Sequence, residues 1–163
     1  SLVIVFAEEV FRVGGLEYGL LSAALGIGSV LAAPIIAGPG SGVARSRLAG
    51  VAMLVYGVAL VAFAATPVYL IGLVALLVAG AAYLPIAATL NTTLQIQVDE
   101  SMRGKVLALY ITLFTLSIPL GSLAQGWTSD LFGPGPTVVV AGCAYLAATF
   151  ALRRPSWLGH LDD

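Results

Sequence analysis

Residues Leu48 to Val98 read LAGVAMLVYGVALVAFAATPVYLIGLVALLVAGAAYLPIAATLNTTLQIQV, without a single Asp, Glu, Lys or Arg. A helix that crosses the hydrocarbon core of a bilayer needs about 20 apolar residues, so this stretch is long enough to cross twice. Thr66 and Pro67 stand near its middle. Proline cannot continue a helix without losing a backbone hydrogen bond, so a tight turn is expected there. Further uncharged runs from Tyr18 to Ala44, Val106 to Ser129 and Leu131 to Leu152 supply three more crossings. Five complete spans follow, in an all-α polytopic membrane bundle.

The charges between the spans orient them. Arg45 and Arg47 follow the first span, Arg103 and Lys105 the third, and Arg153 and Arg154 the fifth, so alternate connections hold six of the 7 basic residues. Lys and Arg in short loops stay on the cytoplasmic side. The opposite loops carry Arg12 among Glu8, Glu9 and Glu17, and no basic residue at Thr66 or between Asp130 and Pro136. The C-terminus is therefore expected in the cytoplasm.

The chain opens SLVIVFA, an apolar run too short to cross a bilayer before the acidic loop. It reads as the far end of a sixth helix over residues 1–11. The competing reading, a signal peptide, needs a basic leader and a small-residue cleavage site, and neither is visible. The full spans are expected over 16–38, 46–65, 67–97, 101–130 and 136–153, within a bundle over 1–155, with a cytoplasmic tail over 156–163. A composition of 60% hydrophobic and 9% charged residues departs far from the roughly 25% charged residues of soluble domains. The net charge of -1 gives no basic field for nucleic acid. Cys143 is the sole cysteine, so neither a disulfide framework nor a thiolate metal site is expected, and His160 reads as a solvated tail residue.

The spans differ in texture. The second and fifth are bland, which suits a lipid-facing position. The third carries Tyr83, Asn91, Thr92, Thr93 and Gln95, and the fourth Tyr110, Thr112, Thr115, Ser117, Ser122 and Gln125. Positions three or four apart share a helical face, so Tyr83, Ala87, Asn91 and Gln95 form one row and Tyr110, Phe114, Ser117, Gly121 and Gln125 another. A water-filled cavity accounts for both rows; hydrogen bonds between packed helices, contributing roughly 0.6 to 2 kcal/mol per pair, account for either one. Together the rows favour the cavity, because amides facing lipid are costly. Tyr83, Asn91, Gln95, Tyr110, Ser117 and Gln125 are the expected cavity lining.

Ala24, Gly28 and Ala32 give the first full span a stripe that lets helix backbones approach closely. Pro34, Pro85 and Pro119 lie inside the first, third and fourth spans, so kinks are expected where the chain is polar. At the basic end Asp99, Glu100 or Ser101 can cap the fourth span, and Arg103 and Lys105 anchor it at the interface.

Catalytic chemistry has no visible seat. No His, Asp, Glu, Lys or Arg lies deep in a complete span, and a nucleophile with its base, an aspartate pair or a metal cage is lacking. No enzyme activity, metal or cofactor is expected. Proton coupling in turn needs an ionisable group at membrane depth, which places it outside these spans.

Asn91 through Gln95, Val98, Arg103-Gly104-Lys105-Val106, Pro119-Leu120-Gly121-Ser122, Gly126, Asp130 and Gly133-Pro134, with Tyr18-Gly19-Leu20-Leu21 and Gly26-Ile27-Gly28, resemble the C-terminal half of the major facilitator superfamily. Within it the chain is similar to the bacterial drug and siderophore exporters grouped with the enterobactin exporter, the transmembrane secretion effectors. The resemblance implies helices seven to twelve of a twelve-helix fold, the seventh truncated, with the ninth and twelfth at the periphery, where texture alone puts the bland helices. It departs from the family pattern at Asp99, where relatives often have proline. The loop from Gly38 to Arg47 also lacks the acidic residue and full Gly-Arg signature usual between the second and third helices of each half.

The resemblance implies a secondary active transporter of the bacterial inner membrane, exporting an amphipathic small molecule such as a drug or siderophore by alternating access and proton antiport. Its partners would be that substrate, the lipid bilayer and an N-terminal half of the same transporter. An uptake permease of the same fold and a non-transporting membrane scaffold are the rival readings.

Overall fold

Thr66, Pro67 and Gly133 cut the chain into hairpins. Thr66 is extended (φ -102°, ψ 132°), the conformation that a following proline imposes, and its Oγ1 accepts a hydrogen bond from the Val68 amide at 3.1 Å. Gly133 has φ +86°, a conformation strained for any side chain, and its amide closes the preceding helix on the Ser129 carbonyl at 2.8 Å. The next helix starts at Pro134, where a missing amide hydrogen costs nothing.

The computed structural model describes residues 2–38 and 44–152. It is helical, with no strand among the described residues. A short α1 (Leu2–Val5) runs into a π-helical turn (Phe6–Val10), followed by α2 (Gly15–Ala37), α3 (Arg45–Ala65), α4 (Tyr69–Gln97), α5 (Glu100–Phe132) and α6 (Pro134–Leu152). The last five are long and apolar enough to cross a membrane. At 1.5 Å per residue α5, with 33 residues, reaches about 50 Å, well beyond the roughly 30 Å of hydrocarbon. The chain is thus a multi-pass membrane bundle.

The first segment is not the plain helical end expected. After Val5 the winding widens, with the Phe11 amide bonded to Phe6 O at 2.8 Å and the Val13 amide to Ala7 O at 3.0 Å, and Arg12 (φ 51°) then turns the chain into α2. Phe6 is completely buried as a result, with the Phe63 ring 4.7 Å and the Phe11 ring 6.2 Å away. Leu21, Leu76 and Val138 complete this core, which lies at the end of the bundle opposite Arg47, Arg103 and Lys105. Tyr69 stands edge-on to Phe11 at 6.0 Å and donates a hydrogen bond to the Glu17 carbonyl at 3.1 Å, tying α4 to the start of α2.

Two crossings built on glycine hold the rest. Where α2 meets α4, a Cβ at Gly28 would overlap the Leu77 carbonyl and a Cβ at Gly80 the Leu25 carbonyl. Ser29 Oγ sits in the crossing and donates to Leu25 O at 3.0 Å and Gly80 O at 2.9 Å. Ala24 and Ala32 are buried on either side, so the small-residue stripe does the close packing expected of it. Where α3 meets α6, Gly57 lies against Leu146 and Gly142 against Val61.

The bland α3 is gripped on two sides, by α4 and α6, yet turns Val51, Val55 and Val58 outward. Beside that stripe a wholly apolar groove of about 420 Å³ runs between α3 and α4. The polar α5 is the least packed helix: it rests along α6, touches α4, and has no buried residue. Pro34, Pro85 and Pro119 lie within continuous helices. Residues 39–43, Arg153, Arg154 and the tail with His160 lie outside the described residues.

Candidate functional site

Along α5, Ser122, Gln125, Gly126, Ser129 and Asp130 follow the three-and-four spacing of one helical face. That face lines a cleft of about 850 Å³. Opposite stand Leu25 of α2, Tyr56, Leu60 and Phe63 of α3 and Leu76 of α4, with Val3, Val5, Val138 and Ala141 at the margins. One wall is polar and the other apolar and aromatic. Ser122 lies about 15 Å of helix rise before Phe132, so the cleft runs along the last third of α5, toward the end opposite Arg47, Arg103 and Lys105.

Three hydroxyls of α5 are satisfied within the helix. Thr112 bonds to Ala108 O at 2.8 Å, Ser117 to Phe114 O at 2.7 Å, and Thr128 to Ala124 O at 2.9 Å. These groups need neither a neighbouring helix nor water, because their own backbone supplies the acceptor. The side chains of Ser122, Gln125, Ser129 and Asp130 make no hydrogen bond or ion pair among the described residues, and these four line the cleft.

Of the six residues expected to line a cavity, Gln125 lines this cleft and the other five do not. Asn91 and Gln95 are exposed and bonded to each other, one turn apart on α4. Tyr110 stacks on Phe114 at 6.0 Å, and Ser117 is satisfied within its helix. Tyr83 lies 6.4 Å from Tyr56, which in turn meets Tyr145 edge-on at 5.4 Å, so three tyrosines join α4, α3 and α6. Sequence reasoning passed over Tyr56, Ser122, Ser129 and Asp130 as site residues. The serines and the aspartate were findable by extending a face from Gln125 in both directions, whereas Tyr56 sits on a helix of bland composition and depends on tertiary packing alone.

At the basic end the cap differs from expectation. Asp99 occupies the N-cap position of α5 but makes no side-chain cap; its backbone carbonyl accepts from Met102 and Arg103, both at 2.9 Å. Exposed carboxylates at Asp99 and Glu100 are left to act through the helix dipole, while Lys105 is exposed and Arg103 half-buried, its Nε without a hydrogen-bond partner among the described residues.

The sequence matches the model of the transmembrane secretion effector family of the major facilitator superfamily over residues 1–158. The chain belongs to that family. The family match therefore takes in all five spanning helices and both walls of the cleft. The tetracycline resistance protein, class C, of Escherichia coli is 30% identical in an alignment covering 96% of this chain and 40% of that relative. The chain thus spans well under half the length of the curated relative it matches. No solved structure matches.

Proposed function

We propose that this transmembrane secretion effector chain forms part of a secondary active exporter, which moves an amphipathic small molecule such as a drug or siderophore outward across the bacterial inner membrane by alternating access. The observation that carries the reading is the cleft of about 850 Å³ within the helical bundle, with polar groups of α5 unpaired among the described residues on one side and an apolar, aromatic wall on the other. An amphipathic solute needs both surfaces. Membership of the family and the likeness to a tetracycline resistance protein favour efflux over uptake.

In this reading the basic residues face the cytoplasm with the C-terminus, the cleft opens in the outer half, and protons drive the exchange. A further set of helices, an N-terminal half of the same transporter, completes the path. Tyr83, Asn91, Gln95, Tyr110, Ser117 and Gln125 line the route at its successive stages, Pro34, Pro85 and Pro119 let their helices bend, and Asp99, Glu100, Arg103 and Lys105 form the cytoplasmic rim.

The test is flux by the native protein in inverted membrane vesicles, with and without a proton gradient, for wild type and single alanine variants of the six lining residues. Gradient-dependent uptake into inverted vesicles, reduced in the variants, is the expected result. Unchanged flux in all six would remove the site assignment. Absence of any flux, with stable association to partner membrane proteins, would favour a scaffold.

A further inference from the structure

We infer that the cleft beside α5 binds an amphipathic organic cation, with the Asp130 carboxylate as its charge partner. The role of this site in transport rests on the export reading above; the binding itself does not. Among the described residues Asp130 is the one acidic side chain lining the cleft, and no Lys, Arg or His lines it. Its carboxylate has no ion pair or hydrogen bond among the described residues. The carboxylate is exposed, so a cation can reach it from the open side of the cleft.

The shape of the cleft supplies the rest of the recognition. From Asp130 to Ser122 is about 12 Å along the axis of α5. A ligand with its charge at Asp130 can therefore lay an apolar body along the half-buried Leu60 and Leu25, and reach the Tyr56 ring at the far end. Gln125 and Ser129 offer hydrogen bonds along the way, one helical turn apart. Among the described lining residues an anion finds the reverse, a carboxylate and no counter-charge. The loops at this end reinforce the sign, since Glu8, Glu9, Glu17 and Asp130 outnumber Arg12.

The experiment is equilibrium binding of tetraphenylphosphonium to the native protein in lipid nanodiscs, with neutral triphenylphosphine oxide as the matched probe. Asp130→Asn is expected to weaken tetraphenylphosphonium binding about tenfold or more, which is the loss of one charge interaction of about 1.4 kcal/mol, and to leave the neutral probe unchanged. Asp130→Glu is expected to stay close to wild type. Gly126→Lys, which places an ammonium one turn before Asp130 on the same face, is expected to reproduce the loss should Asp130→Asn fail to fold. Equal weakening of both probes, an unaltered tetraphenylphosphonium affinity in Asp130→Asn, or binding of neither probe by wild type overturns the inference. Charge-selective binding without flux in vesicles leaves the cation site standing and refutes the export reading instead.

Discussion

Substituting Gly80 by alanine should destabilise the bundle, whereas the same change at Gly26 or Gly121 should not. At Gly80 the new methyl group falls on the Leu25 carbonyl, a backbone atom that cannot swing aside, so α2 and α4 must separate. Separation also stretches the 2.9 Å bond from Ser29 Oγ to Gly80 O, which holds the two helices together. Overpacking a tight contact costs about 1–3 kcal/mol, and an interhelical hydrogen bond in a membrane contributes roughly 0.6–2 kcal/mol. Together they give a loss of about 2–5 kcal/mol. At Gly26 and Gly121 a Cβ meets nothing within 4 Å. There alanine should gain up to about 1 kcal/mol, because glycine is the poorer helix former. Thermal unfolding of the purified protein in one detergent, followed by gel filtration of the surviving monodisperse fraction, ranks the variants. Equal midpoints for Gly80→Ala and Gly26→Ala would refute the idea that the α2–α4 crossing is set by glycine.

Removing the Gln125 carboxamide with alanine should lower flux about threefold to tenfold, the equivalent of one hydrogen bond of roughly 0.6–1.4 kcal/mol, with no change in the amount of protein in the membrane; initial rates in vesicles read both. Tyr56→Ala should lower the thermal midpoint more than Tyr56→Phe, since only alanine loses the two ring contacts to Tyr83 and Tyr145, each worth about 0.5–1.5 kcal/mol. Reporter fusions after Arg154 should be active for a cytoplasmic reporter and silent for one that needs export, as the basic connections require.

The fold was legible because a bilayer imposes few choices. Uncharged length gave the spans, and Thr66-Pro67 marked a turn that the structure places between α3 and α4. The Ala24-Gly28-Ala32 stripe pointed to a close crossing, but its partner Gly80 lies 52 positions beyond Gly28 and nothing local names it. The site was less legible for a related reason. Counting hydroxyls as cavity groups treats each as in need of a partner, yet Thr112, Ser117 and Thr128 bond to carbonyls three or four residues back. The amides Asn91 and Gln95 likewise satisfy each other along their own helix, and the polar groups that reach the cleft are those of Ser122, Gln125, Ser129 and Asp130.

The glycines also divide the bundle into a part held fast and a part held lightly. Gly28, Gly80, Gly57 and Gly142 each lie against a neighbouring helix, whereas Gly104, Gly121 and Gly126 of α5 meet nothing within 4 Å. With Pro119 near its middle and no buried residue, α5 is, of the five spanning helices, the one with the fewest contacts to break on moving. Its polar face is one wall of the cleft, and α2, α3 and α4 supply most of the other. A change in cleft width is therefore expected as a displacement of α5 against a steady α2–α4 pair. Spin labels at Leu123 and Leu16, compared with labels at Leu70 and Leu16, test this directly. Adding transported substrate should broaden or shift the first distance distribution and leave the second as it was. If the α2–α4 distance changed as much as the α5 distance, the glycine crossings would not be the fixed frame, and the cleft would have to open by some motion other than that of its least packed helix.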